Sequence, residues 1–174
     1  TAAARKTPGN QAEEASPWSD AQLAKMRKEA QDVLAEILEV QELLEGTGVE
    51  LWAAEAFTQA KSFATEGDKL YRERQFTEAT SSYQQALAEM KAILESEPDA
   101  LERQLAQARE FIEQGERELA DSALAIAAAI EPDNEELRTL TARSKTLEQL
   151  LPLLEQARLA EKNGDLPTAE ALLK

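Results

Sequence analysis

Residues 60–93 read AKSFATEGDKLYRERQFTEATSSYQQALAEMKAI, and the spacing of small and aromatic side chains along them decides the fold. Small and large residues alternate as two antiparallel helices in close contact require. Gly67 falls mid-way along the first helix, where the missing side chain lets a neighbouring backbone approach. Phe76 marks the turn, and Ala79, Tyr83 and Ala86 follow at helical spacing on one face of the second helix. Six of the eight aromatic residues lie in or near this stretch: Trp52, Phe57, Phe63, Tyr71, Phe76 and Tyr83.

Downstream, residues 101–134 repeat the same spacing. Ala108 stands where the first unit has its mid-helix glycine, Phe111 follows, and Gly115 makes the turn. Ala120, Leu124 and Ala127 line the second helix, and Pro132 closes it. Small residues at 120, 123, 127 and 128 imply helices packed nearly backbone to backbone. Asp99 is expected to cap this unit with Glu102 completing the box, and Asp133 with Glu136 to cap the next helix. That helix should run over residues 134–162, kinked near 148–151 by Pro152. Asn163 and Gly164 end it, Asp165 caps its successor, and Pro167 is tolerated in the first turn. Ala157, Gly164, Leu166, Ala169 and Leu173 then match the pattern from about residue 150 to the end.

Three such units over residues 60–174 (about 60–93, 101–134 and 150–174) resemble the tetratricopeptide repeat family, whose unit is a 34-residue helix–turn–helix. The resemblance implies an all-α fold: an N-terminal helical hairpin followed by tetratricopeptide-like helix pairs in a right-handed stack. Spacers of seven and fifteen residues make the array irregular. In that family the first helices of successive units line a concave surface that holds peptides or partner helices. Carried over, the surface comprises Lys61, Asp68, Tyr71 and Arg72, then Glu102, Arg109, Ile112 and Glu113, then Leu151, Glu155, Arg158 and Lys162. Lys61, Asp68, Tyr71, Arg72, Arg109, Ile112 and Arg158 are its main candidates. Ala64 and Asp68 stand where the family's carboxylate clamp requires lysine and asparagine, which argues against recognition of a C-terminal carboxylate.

Upstream, residues 1–18 lack periodicity and carry cancelling charges, as in a flexible linker. Residues 19–59 are expected to form the N-terminal helical extension. Ser19 with Gln22 is a capping box, and Trp18 can staple onto Leu23. From Leu23, the residues Met26, Ala30, Val33, Ile37, Val40 and Leu44 recur at steps of three and four, a seam about three heptads long. The seam can pack on the next helix of the chain or form a coiled coil with another molecule. Gly46 ends that helix, and Thr47 with Glu50 is expected to open a long helix over 48–74, whose first half zips against the seam.

Composition narrows the function classes. With 34 acidic residues against 19 basic, the net charge is −15, which opposes non-specific binding to nucleic acid and to anionic membranes. No stretch is long and apolar enough for membrane insertion. Cysteine and histidine are absent, so disulfides, thiol nucleophiles, imidazole bases and thiolate or imidazole metal sites are excluded. Gly46-Thr47-Gly48 lacks the Lys-Ser/Thr of a phosphate loop. The abundant carboxylates read as solvated helix faces paired at helical spacing, such as Glu113 with Arg117.

The expected function is therefore non-enzymatic and without cofactor: a protein–protein interaction scaffold or adaptor within a larger bacterial polypeptide. Its partner segment is acidic or amphipathic, and the chain is a monomer. The alternative is a self-associating structural element that uses the 23–44 seam. The linker-like start suggests a tethered domain, with the cell envelope as its expected location.

Overall fold

The computed structural model describes residues 16–173, and over them the chain is all-α, with no strand. Its helices are α1 (Pro17–Gly46), α2 (Val49–Trp52), α3 (Ala54–Arg72), α4 (Phe76–Glu95), α5 (Glu97–Gln114), α6 (Arg117–Ile130), α7 (Glu135–Lys162) and α8 (Leu166–Leu172). The linker reading falls on residues 1–15, outside the described part, except that Pro17 and Trp18 are already helical. Ser16, not Ser19, is the cap: its side chain accepts the Ser19 backbone N–H at 3.2 Å. Pro17 in the first turn has the fixed φ a helix start needs. Trp18 stays 71 % exposed, so no staple forms onto Leu23.

The helix pair of residues 60–93 is present as α3 and α4. Gly67 is buried, but what approaches it is the ring of Tyr83 rather than a backbone. A Cβ on Gly67 would stand 2.5 Å from Tyr83 Cδ1, closer than any van der Waals contact, so the glycine exists to seat that ring. Tyr83 is itself buried, and its hydroxyl donates to Asp68 Oδ1 at 2.6 Å. Burial first, and the carboxylate second, push the phenol well above its ordinary pKa; it stays protonated and keeps donating. The α3–α4 turn passes through Arg74 at φ 63, a left-handed conformation in a residue other than glycine.

The long helix expected over 48–74 is broken. Gly48, at φ 63, turns the chain, and Ala53, at φ −143 and ψ 34, separates α2 from α3. No side-chain cap starts α2: Thr47 instead donates its hydroxyl back to Leu44 O at 2.8 Å. The break changes the partner of α1. Its seam residues Ala30, Ile37, Val40 and Leu44 are buried, but α1 lies along α4 rather than along residues 48–59. The two run parallel, with Met26 beside Thr77 and Glu36 paired to Lys91. Seam spacing specifies which face is buried and leaves open which helix covers it.

The remaining caps also shift by a residue or more. Helix α5 starts after Ser96 without a side-chain cap, and Asp99 lies in its first turn. Asn134, not Asp133, caps α7 by accepting the Leu137 N–H at 3.1 Å, while Asp133 pairs with Arg138 and Glu136 with Arg109. The turns at Gly115 and Gly164 (both φ 79) and the Asp165 cap stand as expected. Helix α7 continues through Pro152, which removes one rung of its hydrogen-bond ladder.

Two apolar clusters result. One gathers α1–α4 around Phe57, Tyr83 and Met90. The other gathers α5–α7 around Leu105, Ala108, Leu124, Ala127 and Leu140. Helices α4 and α5 meet where the chain passes from one to the other, and α2 touches α6. At that second junction a Cβ on Gly48 would come within 3.0 Å of Ala129 Cβ.

Candidate interaction surface

The residues expected to line one groove fall on three separate helices. Lys61, Asp68, Tyr71 and Arg72 are on α3, Arg109 and Ile112 on α5, and Arg158 on α7. Most of them have internal partners. Lys61 pairs with Glu50 at 3.4 Å and lies 4.3 Å above the Phe57 ring. Asp68 accepts the Tyr83 hydroxyl, and Arg72 Nε donates to the Asp68 carbonyl at 3.2 Å.

Tyr71 is covered from α1. Arg27 Nε and Gln31 Nε2 donate to its hydroxyl at 3.0 and 2.9 Å, and its ring meets Phe76 edge-on at 5.1 Å. Ile112 is buried in the second cluster, and Arg109 is paired with Glu136. Of the second unit's other candidates, Glu102 and Arg109 line a hollow of ≈ 380 Å³ between α5 and the start of α7, while Glu113 is exposed beyond it.

The third unit is different. Leu151, Glu155, Arg158 and Lys162, all anticipated, line a groove of ≈ 450 Å³ together with Leu154 and Leu159. Leu154 and Arg158 also line the adjoining hollow of ≈ 540 Å³ together with Glu161 and Glu170, closed on its far side by Leu166 and Ala169 of α8 and by Leu173 just past its end. Leu151 continues the surface towards Leu119 in the first turn of α6. The geometry follows from helical repeat. Positions 151, 154, 158 and 162 recur at three- and four-residue steps and share one face of α7, while Ala160 falls on the opposite side and is buried, and Ala157, also buried, borders the second hollow.

Leu154 is 41 % exposed and Leu166 64 %, so this is apolar surface left to solvent, not core. Arg158 and Lys162 form no ion pair among the described residues. By contrast Arg117, at the other end of the surface, is held by Asp121 at 3.2 Å and Glu148 at 3.3 Å.

Leu154, Leu159, Leu166 and Leu173 were not among the expected site residues. At helical spacing they read as core, and they are surface because no helix among the described residues covers them. A larger hollow of ≈ 620 Å³ lies where the α2–α3 break faces α5, but alanines and the polar ends of Glu55, Gln59, Ser96 and Arg103 make up most of its wall. It offers Trp52 alone as a large apolar contact.

The buried polar groups of the second half are structural. Ser144, buried on α7, donates to Asp121 Oδ1 at 2.5 Å, and Asp121 in turn holds Arg117. Every buried side-chain nitrogen and oxygen among the described residues has a partner. No group of three acidic side chains among them is placed to hold a metal ion. No helix among them is long and apolar enough to cross a membrane.

No protein-family model, no curated protein and no solved structure matches the chain.

Proposed function

We propose that the chain is a protein–protein interaction module, a scaffold or adaptor built from tetratricopeptide-like helix pairs, and that it holds a peptide or helical segment of a partner. One observation carries the reading: the leucine-lined surface of α7 and α8, where Leu151, Leu154, Leu159 and Leu166 lie together open to solvent beside Arg158 and Lys162, which form no ion pair among the described residues. Contiguous exposed apolar surface with a polar rim is the usual mark of a docking face. The module is non-catalytic and monomeric in this reading, since a −15 chain repels its own copies. Self-association through the α1 seam draws no support, because Ala30, Ile37, Val40 and Leu44 are buried within the chain.

Affinity capture from extract of the cells that make the protein tests the reading. The wild type is run beside Leu154→Asp/Leu166→Asp and beside Leu38→Asp/Leu43→Asp, which alters exposed leucines of α1, each first checked for helicity by circular dichroism. A discrete partner retained by the wild type and the α1 variant, and lost by the α7–α8 variant, is the expected result. A wild type that retains nothing beyond the bare resin contradicts the interaction reading.

A further inference from the structure

The two apolar clusters are held to each other far more lightly than either is held together. Helices α3 and α4 pack along their lengths, as do α5 and α6, whereas the principal contacts between clusters are the α4–α5 junction and the touch of α2 on α6. Ser96 alone stands between α4 and α5, and at φ −86 and ψ −4 it is itself helical. Its N–H donates to Ala92 O at 3.1 Å, and its carbonyl accepts the Ala100 N–H at 3.0 Å. Two residues on, Pro98 has no N–H to offer the Leu94 carbonyl. The junction is thus a nearly continuous helical path with one rung missing, which is where a helix bends most readily.

The hollow of ≈ 620 Å³ straddles this joint. Trp52, Glu55 and Gln59 stand on its α2–α3 wall, Ser96 and Arg103 on the other. Glu55 and Arg103 are exposed, and neither forms a hydrogen bond or an ion pair among the described residues. Asp99, one turn before Arg103 on α5, does not pair with it either. Opposite charges therefore face one space from opposite walls, one on each side of the joint.

We propose that this cleft closes by bending at Ser96–Pro98, and that Glu55 pairs with Arg103 in the closed form. Helices α5–α8 move as one body towards α3, each cluster keeping its own core. Closure also covers the half-buried Trp52 ring and the alanines beside it, so apolar burial adds to the charge attraction. The joint absorbs the change because a few residues at element ends are enough for a hinge. The motion is independent of docking on α7 and α8.

The chain has no cysteine, so pairs of spin labels on exposed cysteine variants report the motion without interference. Ser62→Cys/Gln107→Cys spans the cleft, and Glu42→Cys/Ser81→Cys, within the first cluster's helices, is the reference. Double electron–electron resonance on the whole chain should give two distances for the spanning pair and one for the reference. Raising the salt from about 0.15 M to about 1 M, which cuts the screening length from about 8 Å to about 3 Å, should favour the longer distance. Arg103→Glu should reduce the short-distance population about threefold, the size an exposed ion pair allows, and adding Glu55→Arg should restore it. Pro98→Ala supplies the missing N–H and should leave one narrow spanning distance.

A single spanning distance in the wild type, as narrow as the reference, overturns the proposal. So does a short-distance population that ignores Arg103→Glu, or one that Glu55→Arg/Arg103→Glu fails to recover. Two distances that persist in Pro98→Ala put the bend elsewhere and overturn it as well. If Arg103→Glu loses helicity by circular dichroism, Arg103→Gln makes the same test without adding a carboxylate.

Discussion

Tyr83→Ala is expected to destabilise the protein by about 3–5 kcal/mol, the cost of truncating a fully buried aromatic side chain. The ring fills the place that Gly67 vacates, so its removal opens a cavity between α3 and α4 that neither helix can close without moving its backbone. Tyr83→Phe should cost only about 1 kcal/mol, because it removes the hydroxyl bond to Asp68 and keeps the ring. Denaturant melts give both numbers. If Tyr83→Phe proved as damaging as Tyr83→Ala, the hydrogen bond rather than the ring would be holding α3 to α4.

The second large effect belongs to the other cluster. Ala127 is fully buried on α6 among small residues, and Ala127→Trp forces an indole into a helix contact with no room for it. The expected loss is about 3 kcal/mol, the upper end for an overpacked core. Glu136→Trp is its control: it sacrifices an ion pair with Arg109 in which both side chains are nearly half exposed, worth at most about 1 kcal/mol. Because the clusters are separate, Ala127→Trp should speed amide exchange over α5–α7 and leave α3 and α4 protected. Equal melting of the two variants would mean that the small-residue face of α6 is not a helix contact.

What could be read from the sequence was whatever depends on spacing along the chain. The α3–α4 and α5–α6 pairs, the turns at Gly115 and Gly164 and the Asp165 cap were all legible, because each is set within a few residues. The Ala53 break was not, since Leu51-Trp52-Ala53-Ala54 contains no glycine or proline to mark it. Caps shifted because serine, aspartate and asparagine crowd each helix start: Ser16 and Asn134 hold positions for which Ser19 and Asp133 were equally suited.

The choice of α4 as the partner of α1 is a tertiary fact that no heptad encodes. The same limit hid half of the candidate site. Arg158 and Lys162 could be named from the repeat pattern, but Leu154, Leu166 and Leu173 have the spacing of a core. Their exposure shows only once the described helices are in place and none of them covers the leucines.

The central claim is that recognition occurs along α7 and α8. Hydrogen exchange on the whole chain, with and without the partner retained from extract, tests it most directly. Slowed exchange concentrated over residues 148–173, with the α3 stretch from Ala60 to Arg72 unchanged, is the predicted result. Protection centred on α3, or spread over α1 while α7 and α8 exchange as before, would contradict it.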